Sequence, residues 1–451
     1  MCPGMLENRQ AVLRGEKRVE EVARERLAIF QRENPAANAV VECEPDPLLA
    51  KAREIDAKVR AGTAGRLAGT VITVKDNLDV QGMHTTAGFL KWKDNLAAKD
   101  CSAVARLRAE DALVLGKTNM PPGAMDAQTD NPVYGRTNHP LFPDRTCGGS
   151  SGGGACAVKL GISDADLGND LMGSIRIPAH FCGIYGFVPT GGALLLDGFA
   201  GGRPSGGALS QMLRLGLQAQ TPEAVEMIFS VLAEDGFPAV RREPAKRLKI
   251  AWSFHCGGLP LSRDSKACLT AFLERAGAGN DLYELSKEDY PFELARESFA
   301  RLLYGAIAAM MPAGVCFAAR HLMGNRLMDR RLRPYLAAED GREECKRAMR
   351  RLMNRFDCLI VPVTATPAFP HIKPIRVVNG QPFYGDFPVD GQKALYAAAN
   401  LGYTTPFFTA DPVMAVPAGV TEAGLPVGVQ VVCGAYRDLD LLRMVQTLFT
   451  K

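Results

Sequence analysis

Apolar positions recur at helical spacing near the start of the chain: Val12, Val19, Val22, Leu27 and Ile29 stand among Arg and Glu within residues 5–33. That period predicts one or two amphipathic helices covering a core. A further helix is predicted from about Asp46 to Ala61. The pattern then changes: in "AGTVITVKDN" the β-branched run Val71 to Val74 predicts a buried strand ending at Lys75. "SAVARLRAED" reads as helix and "ALVLGKT" as strand, and this alternation predicts an α/β sheet. From about 245 to 350 charged helices surround the apolar "LLYGAIAAMMPAGVCFAARHLM", which predicts an inserted helical wall. From about 356 the sheet resumes with "FDCLIVPVTATPAF", "PVMAVPAGV" and, after a turn at Gly424, "LPVGVQVV". No internal repeat or low-complexity tract stands out.

Composition adds bounds rather than a function. The 451 residues are 47% hydrophobic and 23% charged, enough apolar material for one large core or two domains. A net charge of +4, from 53 basic and 49 acidic residues, gives no strong pull toward nucleic acid. The basic runs "RRLRP" and "KRAMRRLMNR" have acidic residues among and around them and read as solvated helix faces. Twelve scattered cysteines with no C-x-x-C suit reduced thiols in a cytoplasmic protein better than a disulfide framework. "MCPGMLENRQ" lacks a cationic segment followed by an apolar one, and no 18-residue uncharged apolar stretch occurs, so neither export nor a membrane partner is expected.

Several motifs fail on inspection. "LGKT" at 115–118 hints at a phosphate loop, but Asp111 stands where the first glycine of that motif belongs. No H-E-x-x-H, paired C-x-x-C or EF-hand pattern is present, so no metal site and no cofactor is expected. Gly149-Ser150-Ser151-Gly152-Gly153 matches the G-x-S-x-G nucleophile elbow with Ser151 at its centre, yet "NHPLFPDRTC" before it reads as loop where an elbow needs a strand. A combination is more informative: a buried strand ends in Lys75, a glycine-serine turn follows, and Gly173-Ser174-Ile175-Arg176 comes 24 residues after Ser150. These types suit a serine nucleophile without histidine. A lysine acts as a base only when neutral, and burial lowers its pKa. A hydroxyl between lysine and nucleophile can pass a proton both ways, and successive amides at a tight turn can stabilise an oxyanion.

These segments, with "VKDNLDVQGMHTTAG", "GKTNM", "TDNPVYGRTNHP", "GGSSGGG", "GSIRIPAHFCGIYGFVPT" and "PAGVTEAGLPVGVQVV", resemble the amidase signature family over most of the chain. The resemblance implies one domain over residues 1–451 around a large mixed sheet flanked by helices on both sides. Within it, 62–220 would hold the signature core, 245–350 the helical insertion on the substrate side, and 356–451 the return to the sheet. It further implies that Lys75 starts a proton relay, that Ser150 bridges it with a cis peptide bond, and that Ser174 is the acylated nucleophile. Ser151 would be a supporting hydroxyl, and the backbone of Leu171, Met172, Gly173 and Ser174 the oxyanion-hole segment. Arg176 and Asp170 are expected to brace the turn. The activity implied is hydrolysis of a small or medium carboxylic amide, with no cofactor, and an oligomer, a homodimer, is the family-level expectation.

The chain also departs from the family pattern. In "GNDLMGS" Asn169 replaces threonine and Met172 replaces the first glycine of a pair. If that glycine needs positive φ, methionine there is strained, and its side chain would narrow the pocket. Val188 and Cys147 replace a common lysine and proline. "FAGGRPSGG" reads as a surface loop, with a place near the entrance as the other possibility. Met125 and Gln128 are candidate pocket residues, Gln128 being either a substrate contact or a buried structural amide, with side chains of the 300–325 helices beside them. Acyl transfer to an amine or hydroxyl, an amidotransferase-type glutaminase role within a larger complex, and a weakened binding protein stay open; Ile177, where such glutaminases carry glutamine, weighs against the second.

Overall fold

The strand-period segments join in a single mixed sheet of eleven strands in the computed structural model, which describes residues 4–200, 211–237, 247–310, 314, 316, 327, 329–378, 381–409 and 411–448. In chain order they are β1 (Val40–Cys43), β2 (Val71–Lys75), β3 (Leu113–Thr118), β4 (Ala165–Asp170), β5 (Tyr185–Val188), β6 (Arg214–Ala219), β7 (Lys249–Trp252), β8 (Asp281–Glu284), β9 (Cys358–Pro362), β10 (Val413–Val420) and β11 (Pro426–Val432). Across the sheet the order is β1-β3-β2-β4-β6-β5-β10-β11-β9-β7-β8. β3, β2 and β4 run parallel, as do β9, β7 and β8, while every pairing from β4 through β6, β5, β10 and β11 to β9 is antiparallel.

β2, β3, β4, β6, β9 and β11 are buried at every position, because helices cover both faces. That double cover explains why "VITVK" and "CLIVP" read as continuous apolar runs instead of alternating ones. Alternate residues still serve opposite faces. Leu359 and Val361 join the core beneath helices Phe292–Met310 and Leu332–Arg355, whereas Cys358 and Ile360 join the core beneath Pro222–Leu232, Arg263–Gly277 and Asp438–Leu448. A third cluster holds the N-terminal helices against the sheet: Val12, Val22, Leu27 and Ile55 pack with Val71 and Leu115.

The amphipathic start resolves into two helices, Met5–Leu13 and Val19–Ala37, followed by Pro45–Arg60 with proline at its first turn. One expectation needs amending. The segment 245–350 is not wholly helical, since β7 and β8 lie inside it and form the sheet's edge. Each has four residues and neither is buried throughout, so the periodic signal they leave is short. Residues 201–207 of "FAGGRPSGG" lie outside the described residues, as does most of 311–326. No described helix is long and apolar enough to cross a membrane. Each described cysteine is a free thiol.

Candidate active site

The sheet brings together three segments that lie far apart in sequence. β2 delivers Lys75 fully buried at its end. The turn before helix Gly152–Leu160 supplies Ser150 and Ser151, with a cis peptide bond between Gly149 and Ser150. β4 runs out at Asp170 into the turn that carries Ser174 and leads to helix Arg176–Cys182. Glycine at 154 permits this approach: a Cβ there would lie 2.1 Å from Asp166 Oδ2 on β4. No named strand leads into the serine pair and Ser151 occupies the helix N-cap position, so the elbow geometry is absent.

Lys75 Nζ and Ser150 Oγ are hydrogen bonded at 2.7 Å. Lys75 also donates to Asn169 Oδ1 at 3.1 Å, so the residue that departs from the family pattern fixes the amine. Burial lowers the Lys75 pKa to about 7, against the opposing charges of Asp166 and Asp170. A substantial neutral fraction near neutral pH is the state a base requires. Ser174 is only 6% exposed, and among the described residues its hydroxyl has no hydrogen-bond partner. Ser151 donates its amide to the Ser174 carbonyl at 3.1 Å, which couples the two turns, while its buried hydroxyl has no described partner.

Asp170 and Arg176 shape the nucleophile turn. Asp170 accepts from the amides of Gly173 at 2.7 Å and Ile175 at 2.9 Å, and from Arg176 Nε at 3.0 Å and Nη2 at 2.8 Å. Burial alone would raise the Asp170 pKa; the Arg176 charge and these bonds outweigh it and hold the carboxyl well below the usual range. Arg176 in turn donates to the Thr404 carbonyl at 3.0 Å and Gln430 Oε1 at 2.7 Å, tying the turn to β11. Both side chains are bracing groups, with no atom left over for substrate.

The left-handed position in this turn is Gly173, at φ 112°, and Met172 is not left-handed, so the feared methionine strain does not arise. Its carbonyl accepts from Thr404 Oγ1, and the residue is among those lining the cavity. The oxyanion segment itself needs one correction. The Gly173 amide is committed to Asp170, which leaves the amides of Leu171, Met172 and Ser174 without an acceptor among the described residues.

Beside Met172 opens a cavity of about 370 Å³ lined by Met125, Asp126, Ala127, Leu303, Tyr304 and the 382–401 segment among others. Met125, a candidate pocket residue, is part of this lining. Gln128, for which a substrate contact and a buried structural amide were both open, accepts from the Ile372 amide at 3.1 Å and donates to the Ile372 carbonyl at 3.0 Å and Tyr384 Oη at 2.9 Å. Its amide is consumed within the protein, because Ile372 and Tyr384 come back over it, a long-range contact invisible to local pattern. Asp126, Tyr384 and Tyr396, all cavity-lining, escaped the sequence reading for the same reason. Asn169 was legible as a family departure, but its partner was not.

Comparison with known proteins decides the family. The family model for amidases matches residues 21–235 and 207–442. The chain belongs to the amidase family. It is 31% identical to a glutamyl-tRNA(Gln) amidotransferase subunit of Thermus thermophilus over 97% of this chain and 94% of that one. With the corresponding subunit of Methanothermobacter thermautotrophicus the match, at 38% identity, covers only 38% of each chain. An acylamidase of Rhodococcus erythropolis is 27% identical over 94% of this chain and 90% of its own length. Among solved structures, one described as an amidase superposes with a TM-score of 0.82 at 27% identity, covering 98% of both chains. A large mixed sheet with helices on both faces is the architecture these amidases share with this chain.

Proposed function

We propose that this amidase cleaves a small-molecule carboxylic amide through an acyl-enzyme on Ser174, with Ser150 as relay and Lys75 as base. The observation that carries the reading is the 2.7 Å contact between Ser150 Oγ and a fully buried Lys75 whose pKa burial lowers to about 7. Ser174 Oγ attacks the amide carbon while its proton passes through Ser150 to the neutral lysine. The amides of Leu171, Met172 and Ser174 stabilise the oxyanion. The lysine returns the proton, again through Ser150, to the departing nitrogen. Water activated by the same relay then releases the acid and regenerates Ser174. The Ser150 and Ser174 hydroxyls are not bonded to each other in the free protein, and such contacts commonly tighten only when substrate is bound.

One amidase domain over residues 1–451 is the organisation we favour, supported by a sheet whose strands come from 40 to 432. Free cysteines support a cytoplasmic setting. A homodimer stays the family-level expectation. A second reading, a glutaminase that hands on ammonia within a complex, is favoured by the likeness to the Thermus thermophilus amidotransferase component. Against it, Ile177 is fully buried, with Cδ1 2.8 Å from where a Cβ on Gly173 would sit.

Fluorophosphonate labelling followed by peptide mapping tests the assignment. Modification confined to Ser174 is expected. Labelling at Ser151 would return the nucleophile to the elbow reading, and a folded protein that takes no label would point to a disabled site.

A further inference from the structure

Asp126 is a half-buried carboxylate that the proposed mechanism leaves unused. Tyr396 donates to its Oδ1 at 3.0 Å and Tyr384 donates to its Oδ2, and the two tyrosine rings stack with centroids 4.1 Å apart. Gln128 in turn donates to the Tyr384 hydroxyl, so that phenol is oriented to give its own proton to Asp126. All three residues Asp126, Tyr384 and Tyr396 line the same cavity as Met172 of the nucleophile turn.

Several fully buried acids have an ion-pair partner of their own. Asp170 has Arg176, Asp164 has Arg26 at 2.5 Å, and Asp76 faces Lys117 at 4.0 Å. Asp126 has neutral phenols and backbone amides as its main partners, and no lysine, arginine or histidine among the described residues forms an ion pair with it. Burial raises its pKa to about 6, with the two tyrosine bonds opposing, so the group is largely ionised at neutral pH and above. A desolvated carboxylate is costly unless its charge is compensated, and phenols and backbone amides are neutral partners that leave the charge itself unpaired. Most of the remaining lining is apolar, with Met125, Met172, Leu303, Phe383, Leu395 and Leu401; the other carboxylate, Asp386, is exposed and already paired with Lys393 at 3.1 Å. A negative group set in an apolar cavity next to the nucleophile turn is completed by a ligand with an apolar body and a positive end.

We propose that Asp126, held by Tyr384 and Tyr396, is the anchor for a protonated amine on the substrate, so that the favoured substrates are amides bearing a primary ammonium at the end of a short aliphatic chain. The inference rests on the amidase reading for its cavity but is read out separately. The ammonium pairs with the uncompensated charge of the carboxylate, and the faces of the stacked tyrosines supply a second attraction for the cation. The carboxylate stays with the protein throughout, and no bond to it forms or breaks.

Calorimetric titration at pH 8 with n-butylammonium and with 1-butanol, on the whole protein and on Asp126→Asn, tests this. The ammonium is expected to bind at least tenfold more tightly than the alcohol, and the preference is expected to vanish in the variant. Equal affinity of the two ligands for the unaltered protein, or no binding of the ammonium, overturns the proposal whether or not the variant folds. A preference that survives intact in folded Asp126→Asn overturns it too. In parallel, 5-aminopentanamide should show at least a tenfold higher kcat/KM than hexanamide in the unaltered protein, mainly through KM, and the ratio should fall toward one in the variant. Fluorophosphonate labelling of the same preparations reports the nucleophile, so a protein that labels at Ser174 without charge preference refutes the anchor alone. A protein that prefers the ammonium without labelling refutes the nucleophile alone.

Discussion

Lys75 sets the terms at the scale of single residues. Its amine must be neutral to accept a proton, and burial brings the required pKa to about 7. Below that value the lysine is charged and cannot act; above it the base is free. We therefore expect kcat/KM to rise with pH through an apparent pKa near 7 and then level, measured on a neutral amide to keep Asp126 out of the profile. A profile flat from pH 5 to 9 would remove Lys75 as the base. Ser174→Ala should lower turnover by roughly 10⁴-fold or more, with Lys75→Ala nearly as severe. Ser150→Ala should fall by roughly 10²- to 10⁴-fold, the scale of a lost proton-transfer group. Single-turnover assays on folded variants check all three. Unchanged activity in Ser174→Ala would end the assignment. Lys75 and Ser174 were legible because strand end, glycine turn and family motif coincide there in the sequence. The commitment of the Gly173 amide to Asp170 was not, since it depends on where one carboxylate oxygen falls.

The scale of elements concerns how two turns are held against one sheet. Helix Gly152–Leu160 lies so near β4 that a methyl group at 154 has no room beside Asp166. Gly154→Ala should cost about 1–3 kcal/mol by overpacking, seen as a lower urea midpoint with an unchanged slope. The turn after β4 depends on a different device, the Asp170–Arg176 pair, whose side chains are each 1% exposed. Removing one partner leaves an uncompensated buried charge, so Arg176→Leu should destabilise by about 3–5 kcal/mol. Thermal melts across pH 6 to 8 check it, and an unshifted melting temperature would show that the turn is held by other contacts. Element type was readable where burial imposes a period, as in β2, β9 and the N-terminal helices. It was unreadable for β7 and β8, which have four residues each and pair only at the sheet edge. Asp126 and Gln128 illustrate the same limit for sites: their partners Tyr384 and Tyr396 come from more than 250 residues later.

At the scale of the whole molecule the question is whether the chain works alone. An ammonia-handing glutaminase does its chemistry for a partner, whereas an autonomous amidase carries substrate pocket, base, relay and nucleophile in one chain. Here the cavity, Lys75, Ser150 and the Ser174 turn are built on a single continuous sheet. The chain matches the Thermus thermophilus protein over nearly its full length, so length does not separate the two roles. Chemistry does. Purified alone and given a panel of aliphatic amides, the protein is expected to release acid and ammonia in equal amounts, with glutamine no better than its neighbours in the panel. Turnover of glutamine only, or turnover that waits for added partner proteins, would favour the glutaminase role. Millimolar primary amine added to the same assay separates hydrolysis from transfer, because both pass through the Ser174 ester and differ only in what attacks it. A hydrolase keeps acid as its product, since water reaches the ester through the Lys75–Ser150 relay. A transferase forms new amide in proportion to the amine supplied, and that outcome would mean the cavity seats an acceptor as well as an acyl group.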